Sequence, residues 1–182
     1  YFNNTEKSAR LVEFMNTLKK SGKALTIGLS NFQSPDLTLL GEKLKTFSMN
    51  EVPYSLLDRA YEGDSLNLCK NANIPYMAFS PAAQGLLAKP MSRKDLEMPT
   101  RKHHFLYQDP AYSHAKKVWE TVRNVAEELG RKPVEVALAW VLTRDNIFTA
   151  IVGSRKPEQV QEFAKSTELK LSPSQLQRLT SA

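Results

Sequence analysis

Cysteine is almost missing from this sequence. Cys69 is the only one in 182 residues, so no intrachain disulfide can form and a disulfide-stapled scaffold is excluded. No apolar run is long enough to cross a bilayer. Long basic runs are missing too. The cations come in scattered pairs: Lys19-Lys20, Arg101-Lys102, Lys116-Lys117, Arg131-Lys132 and Arg155-Lys156. A net charge of +6 suits phosphate-bearing ligands, but this scattering, without interleaved aromatics, speaks against nucleic acid. Most of the pairs read as solvated helix faces. His103-His104 has no third ligand spaced to complete a metal site, so no metal is expected. With no signal-peptide pattern at its start, the chain is expected to be cytoplasmic and free of membrane partners. The sequence begins at Tyr1 rather than methionine, and a piece of something longer is expected.

What is present is a globular composition, 41% hydrophobic and 24% charged, arranged as alternating helix and strand patterns. Leu11, Phe14, Met15 and Leu18 recur at helical spacing up to Gly22. Residues 24–29 read as a buried strand, and Ser34-Pro35 opens a helix through Leu37, Leu40 and Leu44. Phe47 to Val52 reads as a second strand, Asp64 to Asn71 as a helix, and Ile74 to Phe79 as a third strand. Lys89 to Ser113 looks irregular, as a lid or insertion would. Val118 to Leu129 forms an amphipathic helix stopped by Gly130, and Pro133 opens another through Leu142. Phe148 to Val152 is the fourth strand, with the helix after Pro157 covering it. Ser172 and Gln175 stand at capping-box spacing before a last helix. Four βα units with buried strands predict an α/β fold with a parallel sheet, either half of an eight-fold βα barrel or a small open sheet.

Ligands of parallel βα folds gather at the C-terminal strand ends. Those ends carry Ser30-Asn31, then Asn50-Glu51 with Tyr54-Ser55 beyond, then Phe79-Ser80-Pro81, then Gly153-Ser154-Arg155. An aromatic can stack on a flat ring, and amide donors can recognise a carboxamide. After Gly153, Arg155 and Lys156 sit on the turn into a helix that opens at Pro157. Glycine there allows close backbone approach, and the free N–H groups of a new helix attract an anion. Together these suit a nicotinamide dinucleotide better than a simple sugar phosphate.

Five segments carry a resemblance: Ser30-Asn31-Phe32, the stretch Val52 to Arg59, the stretch Phe79 to Leu87, Ala137 to Leu142, and Ile151 to Val160. In order and spacing they resemble the C-terminal half of the aldo-keto reductase family, closest to its bacterial-type and potassium-channel β-subunit-like branches. The resemblance covers nearly the whole chain and implies a TIM-type (β/α) barrel, of which residues 1–182 would be the last four βα units in a single domain. It implies an NADP(H)-dependent oxidoreductase, with NAD(H) as the alternative cofactor, reducing aldehydes or ketones to alcohols. By resemblance Ser30, Asn31 and Glu51 would meet the nicotinamide carboxamide, Glu51 standing where the family commonly has Gln. Phe79 would stack on the ring, and Ser80, Pro81, Ala82, Gln84, Gly85 and Leu86 would line the pyrophosphate. Gly153, Ser154 and Arg155 would meet the adenosine 2′-phosphate side, with Gln159 and Glu162 toward adenine and ribose. Phe163 stands where many members carry Asn.

The family's catalytic Asp, Tyr, Lys and His lie on the first four strands, so no residue of this chain is assigned a catalytic role. Tyr54, Tyr61, Tyr76, His103, His104 and His114 do not reproduce that set. The chain alone is therefore expected to be inactive, with the tetrad in an N-terminal half that it lacks. The alternative is a non-enzymatic cofactor-binding sensor or interaction module built on a half-barrel. Four strands leave two exposed edges, so a homo-oligomer or pairing with the missing half is expected.

Overall fold

Neighbouring parallel strands cannot be joined by a tight turn, so each pair here is linked by a helical crossover. In a computed structural model of the chain, which describes residues 5–182, α1 (Thr5–Lys20) precedes β1 (Leu29–Ser30). Tyr1, where the sequence begins, lies outside the described residues. Next come α2 (Ser34–Leu40), β2 (Asn50–Pro53), α3 (Asp64–Asn71) and β3 (Tyr76–Phe79). The connection to β4 (Ile147–Ile151) is long and holds α4 (Arg93–Leu96), α5 (Pro99–Lys102), α6 (Ala111–Leu129) and α7 (Pro133–Leu142). α8 (Pro157–Ala164) and α9 (Pro173–Thr180) follow. The four strands form one parallel sheet in chain order, the sheet-and-helix arrangement of part of a (β/α) barrel.

Strand alternation gives this sheet two unlike faces. Leu29, Asn50 and Tyr76 pair across one rung and Val52 and Ala78 across the next, and all five are buried. Four of them belong to the main apolar core. Asn50 is the polar exception, and its amide is satisfied: Nδ2 donates to the Phe32 carbonyl at 2.8 Å, and Oδ1 accepts from the Phe32 N–H at 3.4 Å. The opposite face carries Ser30, Glu51, Met77 and Thr149 in one rung and Pro53, Phe79 and Ile151 in the next. None of these is buried. Parallel sheets are normally covered on both faces. Here the described residues cover only one.

Apart from Glu135, which pairs with Arg131, α7 is apolar all round, as befits a helix with no solvent side, and every residue from Val134 to Val141 is buried. Trp140 ends it in a dense cluster. Its indole N–H donates to Thr180 Oγ1 at 3.0 Å, and its ring stacks on Tyr54 with centroids 5.8 Å apart. Arg59 and Arg144 lie over the ring at 5.7 and 5.0 Å. Arg59 holds both oxygens of Glu62, at 3.0 and 2.8 Å, and donates to the Thr180 carbonyl. Tyr54 also donates to Glu62, and burial together with that bond pushes its phenol up to about 12. The cluster ties the β2–α3 loop to the C-terminal helix.

Several elements differ from the sequence pattern. The first strand is two residues long, and Leu25 is 92% exposed, because only Leu29 and Ser30 find a ladder partner in β2. The second strand begins at Asn50 rather than Phe47. The helix from Ser34 breaks at Gly41, where φ is 51°, and continues as a 3₁₀ turn to Thr46. The stretch 89–113 is not irregular. Ser92 caps α4 by accepting from the Asp95 N–H, Pro99 opens α5, and α6 already begins at Ala111. α8 packs on α7 and not over β4, which is covered by α7. Ser172 and Gln175 make the reciprocal capping box before α9. Helices α3 and α7 match their sequence patterns.

Trp140→Ala would remove a fully buried ring and is expected to lower the unfolding free energy by about 3–5 kcal/mol. Urea unfolding measures it; a loss under about 1 kcal/mol would show that the cluster does not hold the C-terminal helix.

Candidate functional site: the strand-end cavity

The loops at the strand ends hold strained backbone. Asn31, directly after β1, has φ 60°, and Ser80, directly after β3, has φ 54°. Ala83 and Gln84 follow at 47° and 55°. Left-handed conformations of this kind cost about 1–3 kcal/mol each and persist where surrounding contacts over-determine them. Such contacts are present. The Gln84 carbonyl accepts from Tyr107 Oη at 3.0 Å and from Arg101 Nη2 at 3.3 Å, and the Ala83 N–H donates to the Ser80 carbonyl at 2.8 Å. Gly85, at φ 99°, completes a turn that side chains rarely tolerate.

This loop forms one wall of a cavity of about 650 Å³. Ser80, Pro81, Ala82, Gln84 and Gly85 line it, and Gly153, Ser154 and Arg155 line the facing wall beyond β4, with Gln159 and Glu162 from α8. Leu86 is not on the wall; it is 4% exposed and belongs to the core. Lys156 is exposed and does not line the cavity either. A Cβ added at Gly153 would meet nothing within 4 Å, so a ligand can approach the backbone there. Two N–H groups on the turn just before the helix are taken: Gln159 Oε1 accepts from the N–H of Arg155 at 2.8 Å and of Lys156 at 3.2 Å. A side chain three residues into a helix commonly reaches back in this way. Glu162 is paired with Lys132.

Two glycine-bearing loops thus face each other across the ends of neighbouring parallel strands. The aldo/keto reductase family model matches residues 2–182. This chain belongs to the aldo/keto reductase family. The NADH-specific methylglyoxal reductase of Escherichia coli (strain K12) is 30% identical over 179 residues, covering 90% of this chain and 50% of that protein. The versiconal hemiacetal acetate reductase of Aspergillus parasiticus is 26% identical over 176 residues, covering 93% and 51%. The glycerol dehydrogenase structure from Gluconobacter oxydans superposes with a TM-score of 0.77 at 24% identity, over 91% of this chain and 50% of that one. The chain thus spans about half the length of these aldo/keto reductase relatives, and its fold matches about half of the glycerol dehydrogenase structure.

The remaining expected residues, Ser30, Asn31, Glu51 and Phe79, lie outside the large cavity. Ser30 and Glu51 share the open face with Phe79. Asn31 joins them through its N–H to the Glu51 carbonyl at 2.8 Å and its Nδ2 to Ser30 Oγ at 3.2 Å. Phe79 borders a separate cavity of about 220 Å³ shared with Asp58 and His104. Sequence reasoning missed Lys89, Asp95 and Arg101, all on the large cavity's wall. Arg101 was one of the cations expected on solvated faces, yet its side chain is only 14% exposed. Asp95 gathers the arm: Lys89 lies at 3.0 Å, Arg101 at 3.1 Å, and Ser92 donates its N–H and hydroxyl to the same carboxylate. The cavity wall therefore offers a guanidinium and backbone donors at an open glycine, while its two carboxylates are engaged by cations. That donor set fits the phosphates of a dinucleotide.

The Ser92 hydrogen bonds, and then Lys89, hold the Asp95 carboxyl well below the usual carboxylate range. A depressed value means that the stabilisation it confers is complete above the unfolded value near 3.9 and is lost progressively as pH falls from there through the lower folded value. The arm of residues 89–102 should therefore stay closed at pH 4. Asp95→Asn, by contrast, should speed tryptic cleavage after Arg101 by ~5-fold or more at neutral pH. Unchanged cleavage would show that Asp95 does not hold the arm.

Proposed function

We propose that residues 1–182 are the C-terminal half of a barrel domain in an NADP(H)-dependent reductase of aldehydes or ketones. The observation that carries this reading is the large cavity, which unites the strained Ser80–Gly85 loop with the Gly153–Arg155 turn across neighbouring strands. In this reading the pyrophosphate lies along Ser80, Pro81, Ala82, Gln84 and Gly85, with Arg101 behind them. Arg155 and Ser154 hold the adenosine 2′-phosphate, and Gln159 and Glu162 border the adenosine. The nicotinamide end reaches the open face, where Phe79 offers a ring to stack on, and Ser30, Asn31 and Glu51 offer groups for a carboxamide. The cofactor supplies a hydride to the substrate carbonyl, while this chain's residues bind and orient.

The bare sheet face is supporting evidence that the rest of the barrel comes from outside this half. The proton donor would come from there as well, so the 182 residues alone are expected to show no turnover with a panel of aldehydes. Arg155 supports NADP(H). NAD(H), the cofactor in the name of the Escherichia coli relative, is the alternative.

A fluorescence titration with NADPH, and in parallel with NADH, tests the site. The whole protein carrying this chain should bind NADPH more tightly, and Arg155→Ala should weaken NADPH about tenfold while leaving NADH unchanged. If Arg155→Ala alters neither affinity, the 2′-phosphate does not lie at Arg155.

A further inference from the structure

Of the strand side chains on the open sheet face, one ionises. Glu51 shares its rung with Ser30, Met77 and Thr149, and the adjoining rung is Pro53, Phe79 and Ile151. Among the described residues the Glu51 carboxylate has neither a hydrogen bond nor an ion pair, while its backbone carbonyl accepts from the Asn31 N–H. Other carboxylates near the site are different. Asp95 is neutralised by Lys89 and Arg101, and Glu162 by Lys132. Glu51 thus brings a negative charge to a face whose other strand residues are apolar or neutral. The field of such a charge is strengthened wherever that face is shielded from water.

We propose that Glu51 sets the balance between the oxidised and reduced cofactor bound to this protein, favouring the oxidised form. This rests on the reading that the nicotinamide end lies at the ends of β1 to β3. The oxidised ring carries a positive charge and the reduced ring none, so a carboxylate on this face attracts one form only. A neutral amide at the same position could bond the carboxamide of either form but would not discriminate by charge. The ability to tell the two forms apart is then a property of this one side chain.

The test is a pair of dissociation constants, for NADP+ by calorimetry and for NADPH by fluorescence. Both are measured on the whole protein carrying this chain, as wild type, Glu51→Gln and Glu51→Asp. Glu51→Gln should weaken NADP+ about tenfold relative to NADPH, and Glu51→Asp, which keeps the charge, should retain most of the wild-type ratio. An unchanged ratio in Glu51→Gln, with both forms still bound, overturns the role of Glu51 and leaves the cofactor site standing. Failure of the wild type to bind either form removes the cofactor site, and this inference with it.

Discussion

One side of the sheet is sealed by side chains and, among the described residues, the other is left open, and most features of the molecule follow from that asymmetry. The sealed side holds Val52, Tyr76 and Ala78 in the core, and a single buried amide, Asn50, anchors the chain leaving β1. Burying these side chains, each removed from water at about 25 cal/mol per Å² of apolar surface, fixes the strand positions. Fixed strands in turn fix where each loop leaves the sheet. The bare side carries the opposite set of the same alternation, so residues offered to a ligand and residues holding the fold are separated by the pleat itself.

A second constraint acts at long range along the chain. Arg59, Glu62 and Tyr54 come from the loop after β2, Trp140 from α7 and Thr180 from α9, yet they form one contact network. Burial works against charge on Glu62, but the bonds from Arg59 and Tyr54 prevail and lower its carboxyl below the ordinary value. Because α7 also packs on β4, the network links the middle of the sheet to its last strand. The two walls of the large cavity leave the paired strands β3 and β4.

Much of this was legible in the sequence. Helices opened by proline and closed by glycine, such as α7 and the end of α6, carry their own punctuation. The strand-end residues Ser80 and Gly153 could be placed because parallel folds put loops there. What was not legible depends on partners remote in sequence. Residues 24–28 have a strand's composition, but a strand exists only where a neighbour supplies its ladder, and β2 reaches only Leu29 and Ser30. Arg101 reads as one of several surface cations until Asp95 and the Gln84 carbonyl are seen to collect it. Gln159 reads as a ligand contact, whereas its side chain first satisfies the turn that carries it. Leu86 reads as a continuation of the Ser80–Gly85 loop, but its apolar side chain follows the core.

The arm between Lys89 and Lys102 meets the strained loop through few points, chiefly the Gln84 carbonyl and the close approach of Met91 and Arg101 to Gly85. Of the arm's side chains, Met91 and Leu96 also pack against the core. For protein engineering, this makes the arm an exchangeable part. A segment of different length or composition can be grafted between Lys89 and Lys102, provided that it returns one donor to Gln84, replaces the packing of Met91 and Leu96 on the core and keeps Gly85 uncrowded. The cavity can then be reshaped while the strands that position it are left alone.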